Sequence, residues 1–307
     1  MAKIKEQYRR QTVKAGRTVD VSFTYPTRFG DELTRSGAKN IGTPVAMMNY
    51  NRELAIRELT RILNANFDES DWFVTLHYEK NNRPDRDTAK KQLNRFVAKL
   101  RKLYRDSGVE LKIVKSRTSV GERGAVHHHI VITGGIEVRK ISAIWKSVVK
   151  ASNKSRPPDF KALYDGGDYS SLAAYIYDQS EKEGTAKPKN ERRWTCSRNC
   201  VHPKPQIKTV SEIKWNEPPI AWKGYYIDND SVRVGCNPIN GRPYLFYRMI
   251  KLPPNWIDYD DDGKRVVGKE AIRLTRERHK KWLSENWDSV NPEGNIVFRR
   301  KEKNNND

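Results

Sequence analysis

The chain has 307 residues, 59 Lys and Arg against 38 Asp and Glu, a formal net charge of +21 and 36 % hydrophobic residues. That length admits two domains or one core domain with extensions, the hydrophobic content argues against wholesale disorder, and the charge calls for an anionic partner, most often nucleic acid. No run approaches the roughly 20 apolar residues of a membrane span, the start MAKIKEQYRRQ is charged where a signal peptide is apolar, and the three cysteines are too few for a disulfide framework, so a cytosolic chain without membrane contact is expected.

Residues 1–48 mix Lys3, Lys5, Arg9, Arg10, Lys14 and Arg17 with Gly and Thr without a sustained period of 2 or 3.6, and read as a basic N-terminal arm. From Asn49, Leu54, Ile56, Leu59, Ile62 and Leu63 recur at helical spacing to about Ala65. Trp72 to Tyr78 is aromatic and β-branched and stops at Asn81-Asn82-Arg83-Pro84, the pattern of a core strand. Asp87 to Tyr104 carries Ala89, Leu93, Phe96, Val97, Leu100, Leu103 and Tyr104 on one helical face. A strand over 109–114 leads through a Gly121/Gly124 loop into a second core strand, Val126 to Thr133, which suggests a hairpin. Helices follow over 138–149 and from Ser170 to about Lys182, separated by a Pro- and Gly-containing connection at 154–168. Strands that neighbour one another without strict βα alternation predict an α+β domain on an antiparallel sheet. Beyond Pro188 come a basic segment, a strand-like 206–215, aromatic turn-rich sequence to Leu252, a basic helix at 271–287 and a charged tail. The expected division is therefore an arm at 1–48, a core domain at 49–215, and a less regular, β-rich C-terminal extension at 216–307.

Three of the six histidines are consecutive, and they sit inside a predicted strand. Alternation puts His127 and His129 on one face, about 7 Å apart at Cα, and His128 on the other. Two imidazoles so spaced can converge on one divalent cation with an oxygen ligand to complete the site, the favoured reading over surface or hydrogen-bonded histidines. A metal beside a basic groove suggests phosphoryl transfer, and tyrosine is the candidate nucleophile. On the 170–182 helix, Leu172, Tyr175, Ile176 and Gln179 form the stripe expected to pack toward the sheet, with Tyr177 about 160° from Tyr175. On spacing alone, a core tyrosine with its hydroxyl satisfied is the simpler reading of Tyr175. Arg192, Arg193 and Arg198 with Trp194 interleave charge and a stacking surface as single-strand binders do, or form a solvated basic loop. Cys196, Cys200, His202 and Cys236 have irregular spacing for a zinc site, and ordinary thiols are the preferred reading. Asp258 to Gly263 opens like a calcium loop but has Lys269 at its twelfth position, so a hairpin turn is expected. No phosphate-binding Gly-X₄-Gly-Lys-Ser/Thr occurs, so an ATP-driven helicase activity is not expected of this chain.

Taken in order, Phe73-Val74-Thr75-Leu76, His127-His128-His129, Leu172-Ala173-Ala174-Tyr175 and Arg192-Arg193-Trp194-Thr195-Cys196-Ser197-Arg198-Asn199 resemble the motifs of rolling-circle replication initiators. These are HUH endonucleases, here of the branch found in bacteriophages and integrative elements. The resemblance covers roughly residues 50–250 and implies a sheet of about five antiparallel strands flanked by helices. It implies a Mg²⁺ or Mn²⁺ ion held by His127, His129 and a third ligand, with Tyr175 attacking single-stranded DNA at a replication origin. The products implied are a 5′-phosphotyrosine link and a free 3′-OH, with host helicase and polymerase as partners in the cytoplasm of a bacterial cell. Relatives carry a Glu at the end of the preceding strand, where this chain reads Lys115-Ser116-Arg117; the nearest carboxylate, Glu122, is the expected third ligand. Relatives also carry a Lys three residues after the tyrosine, where this chain has Asp178. Ionising the phenol then falls to the metal, to Lys182, or to an Arg of the 192–198 segment. A relaxase or transposase using the same chemistry, and a non-catalytic nucleic-acid-binding protein with structural histidines, are the alternatives.

Overall fold

The computed structural model of the chain describes residues 8–25, 45–116, 119–120, 126–152, 155–164, 166–179, 192–211, 213–214, 217–236 and 243–287. Two compact units emerge, one of Ala55–His202 and one combining Met1–Leu54 with Pro203–Asp307. The chain begins with β1 (Tyr8–Ala15), β2 (Thr18–Thr24) and α1 (Val45–Asn66). Next come β3 (Trp72–His77), α2 (Arg86–Asp106), β4 (Ile113–Ser116), β5 (Ser119–Val120), β6 (Val126–Ile132), α3 (Val138–Val149), β7 (Asp159–Ala162), α4 (Ser170–Gln179) and β8 (Trp194–Cys196). It closes with β9 (Gln206–Val210), β10 (Tyr225–Cys236), β11 (Pro243–Lys251), β12 (Ile257–Tyr259), β13 (Arg265–Val267) and α5 (Lys269–Asn286). Among the described residues no helix is long and apolar enough to cross a membrane.

The 55–202 unit is the expected α+β fold. Its sheet runs β7-β3-β6-β4-β8 with every neighbouring pair antiparallel, and β5 adds to β6. Alternation along the central strands divides the core in two. Val74, Leu76, Ile130 and Ile132 face α2 and α3, where Phe96, Leu100 and Trp145 fill the space between helices and sheet. Phe73, Val114 and Val131 face the opposite layer, made by Leu59, Ile62 and Leu63 of α1 with Ala173 and Ile176 of α4. The helix α2 forms where its apolar stripe predicts, because Asp85 caps its first turn by accepting from Thr88 N at 2.8 Å and Gly108 supplies the positive φ of 70° that ends it.

Two strands of this unit differ from expectation. The strand predicted at 109–114 begins only at Ile113, since Val109 N is taken by Tyr104 O at the end of α2 and Lys112 is occupied with Thr133. Inside the 154–168 connection lies β7, an unexpected edge strand whose charged Asp159 and Lys161 mask its period.

In the other unit the predicted arm is replaced by a β-hairpin: β1 and β2 turn at Gly16, with φ 55°, and join a five-stranded antiparallel sheet in the order β10-β11-β2-β1-β9. Its period 2 was hidden because buried positions are filled by Thr12, Thr18 and Asp20 as well as by Val13, Val19 and Val21. Asp20 is acceptable there because Arg248 of β11 donates to it from Nε at 2.7 Å. The segment around 258–263 is the expected hairpin turn, joining β12 to β13.

Candidate active site

The register of β3 on β6 builds the site. His77 lies opposite His127, Leu76 opposite His128 and Thr75 opposite His129, while Thr75 also pairs with Asp159 of β7. Phe73, Thr75, His77, His127 and His129 therefore line one face, and His128 lies on the other, fully buried, with its Nε2 3.0 Å from Tyr78 Oη. A cleft of about 640 Å³ opens over the first set, bounded by Tyr175 and Leu172 of α4.

The His127 and His129 ring centroids are 4.8 Å apart, and His129 stacks on Phe73 at 5.5 Å with the planes 15° apart. Burial, reinforced by neighbouring His127 and His77, lowers the His129 pKa to about 3, so this imidazole is neutral at physiological pH. Its Nδ1 lies 3.3 Å from Thr75 Oγ1, whereas its buried Nε2 has no hydrogen-bond partner. The tautomer that donates from Nδ1 leaves the lone pair on Nε2, which is the condition of a metal ligand with its outer nitrogen anchored. The donor set thus fits a divalent cation through two imidazoles, although no cluster of three His, Cys, Asp or Glu suited to a metal ion is gathered among the described residues.

Tyr175 stands 43 % exposed beside this pair, its ring 5.2 Å from that of His129 and 5.9 Å from that of Phe73. Partial burial raises the pKa of its phenol, so the group is held protonated. The start of α4 is tied to α1: Asn64 Oδ1 accepts from Tyr169 N at 2.8 Å, and Asn64 Nδ2 donates to Asp168 Oδ1 at 3.0 Å. Asp168 Oδ2 in turn accepts from Ser170 Oγ. The buried stripe of α4 departs from expectation, being Ala173, Ile176 and Tyr177. Tyr175 lies off this stripe and faces the open cleft, and Tyr177 is buried with the Arg193 guanidinium 4.7 Å from its ring centre.

The structure brings His127, His129 and Tyr175 together; Glu122 and Lys182 lie outside the described residues. Arg192, Arg193, Trp194 and Arg198 do not line this cleft. Trp194 packs half-buried against the α1 and α4 core, and Arg198 lies beside Arg101 and Arg105. Cys196 Sγ is 3.6 Å from His202 Nε2 and Cys200 is buried, while the Cys236 side chain lies outside the described ones.

Sequence reasoning passed over His77 and Asp159. His77 Nε2 is 2.9 Å from Asp159 Oδ2, which also accepts from Arg156 at 2.7 Å. The spacing Phe73, Thr75, His77 was the signal available, but it becomes informative only once β3 is known to pair with β6.

Residues 71–180 match the model of a replication-associated protein family, that of the replication-associated protein ORF2, over a segment that runs through the histidine strand and Tyr175. The match fits the resemblance to rolling-circle replication initiators drawn from the motifs. Searches of curated proteins and of solved structures returned no match.

Proposed function

We propose that this chain, whose residues 71–180 match the replication-associated protein family, is a replication initiator that nicks single-stranded origin DNA. The observation that carries the reading is the half-exposed Tyr175 ring 5.2 Å from His129, in the cleft that His129 shares with His127. The Tyr175 oxygen attacks phosphorus, the P–O3′ bond breaks, and the 3′ oxygen leaves to become the hydroxyl that primes synthesis. The 5′ phosphate stays on the tyrosine, so the energy of the broken diester is retained for religation. His127 and His129 would hold Mg²⁺ or Mn²⁺, with Glu122 proposed as the third ligand; when bound, the cation polarises the scissile phosphate. The phenol has to lose its proton before or during attack. We assign its acceptance to His77, which opens on the same cleft and is held by Asp159. Phe73 keeps the His129 ring in place by stacking, and Thr75 fixes its tautomer.

The test is to incubate the protein and Mn²⁺ with labelled single strands from its own genetic element. A covalent protein–DNA adduct is expected from the wild type and none from Tyr175→Phe; an adduct that persists in Tyr175→Phe overturns the nucleophile. Replacing His127 and His129 by Ala should abolish metal-dependent nicking while salt-sensitive DNA binding remains.

A further inference from the structure

The 55–202 unit carries a second cleft, of about 790 Å³, that shares no lining residue with the histidine cleft. Arg101 and Arg105 of α2 and Arg198 of the turn after β8 stand around it, all three exposed. The turn is fastened to the start of β4: Ser197 N donates to Ile113 O at 2.8 Å, Ser197 Oγ accepts from Ile113 N at 3.1 Å, and Asn199 Nδ2 donates to Leu111 O at 3.1 Å. Arg198 is therefore held beside the helix by a built framework. Along α2, Lys90, Asn94, Arg101 and Arg105 follow at i, i+4, i+11 and i+15, one narrow stripe about 22 Å long. Lys115 of β4 joins it, donating from Nζ to Asn94 Oδ1 at 3.1 Å. Burial, then repulsion from Arg101 and Lys90, lowers the pKa of Lys115. The carboxylates nearby are engaged elsewhere, Asp106 by Lys102 at 2.6 Å and Glu110 by Asn199 at 2.9 Å. Arg101 and Arg198 make no ion pair among the described residues.

Cations collected at this density repel one another unless a polyanion lies across them. The ring in the lining, Tyr104, is buried with its hydroxyl donating to Thr133 O, so the surface offers charge without the exposed aromatic platform on which unstacked bases lie. A straight helical stripe of that length matches the rise of about six base pairs. We propose that this surface grips the phosphate backbone of duplex DNA adjoining the single strand that enters the histidine cleft. The proposal rests on the nicking reading for the identity of that single strand, and on the stripe alone for duplex binding.

Fluorescence anisotropy with two probes tests it: a short duplex bearing a single-stranded tail, and the tail strand alone. In Arg101→Gln/Arg105→Gln, affinity for the tailed duplex should fall about tenfold, and the slope of log affinity against log salt should shrink by about two, one unit per lost phosphate contact. Affinity for the tail alone should change less than about twofold, the range expected when no phosphate contact is lost. Lys90→Gln/Arg198→Gln repeats the test from the other side of the cleft, and matched thermal melts establish that both variants are folded. Equal losses on both probes, or no loss on the duplex in either folded variant, overturn the proposal. Failure of the nicking reading has a different appearance: an adduct from Tyr175→Phe, with duplex binding intact.

Discussion

Acidification should unfold the 55–202 unit through its histidines, and His128 allows the contribution to be isolated. The imidazole is fully buried between Tyr78 and Trp145, its ring 5.9 Å from the indole, and burial followed by repulsion from His127 and His129 depresses its pKa from 6.5 to about 3. Above pH 6.5 neither the folded nor the unfolded state binds the proton. Between pH 6.5 and 3 the unfolded state takes it up and the folded state does not, so stability falls as pH falls. At pH 5 the difference is 1.5 pH units at about 1.4 kcal/mol each, or at most about 2 kcal/mol for His128. His129, depressed to about 3 as well, adds a similar amount when metal-free. In EDTA, the free energy of opening read by hydrogen exchange on peptides covering β3 and β6 should drop by about 4 kcal/mol from pH 7.5 to pH 5 through these two groups. In His128→Leu the drop should be about 2 kcal/mol, whatever constant offset the substitution adds. An unaltered drop in His128→Leu, or a loss of protection toward alkaline rather than acid pH, would refute the linkage.

Two further substitutions test the frame. Arg248→Met leaves the Asp20 carboxylate, 2.7 Å from Nε and equally buried, without its counter-charge; a loss of about 3–5 kcal/mol in urea denaturation is expected, and adding Asp20→Leu should restore most of it. A Cβ at Gly134 would stand 2.1 Å from Ser70 O, in backbone held by the 2.7 Å bond from Gly134 N to Asp71 Oδ1; Gly134→Ala should lower the melting temperature by several degrees, about 2 kcal/mol or more.

What was legible in the sequence is what lies on a single element. Parity along 126–132 put His127 and His129 on one face and His128 on the other, and the register bears this out. The α2 stripe predicted its buried residues almost one for one because Lys and Arg fill most of the other positions. What was not legible needed two elements. The role of His77 depends on which strand lies beside β3, and the lean of Tyr175 into the cleft depends on where α4 sits on the sheet, a placement set by Asn64 on α1 more than a hundred residues earlier. The β1–β2 hairpin escaped notice for the same reason, since Asp20 looks like a surface residue until Arg248 arrives from β11. Arg198 has the charge of a strand-binding residue, but three hydrogen bonds from its neighbours carry it to the far side of the sheet from His129.

The three consecutive histidines also make β6 intolerant of slippage. Moving the strand one residue against β3 would turn His128 into the cleft and drive His127 and His129 into the layer filled by Leu100 and Trp145. Two unsatisfied imidazoles would then be buried where one is bonded now, and the cleft would keep a single ring. The misregistered chain is thus both less stable and inert, so every molecule that folds well enough to persist presents the paired imidazoles.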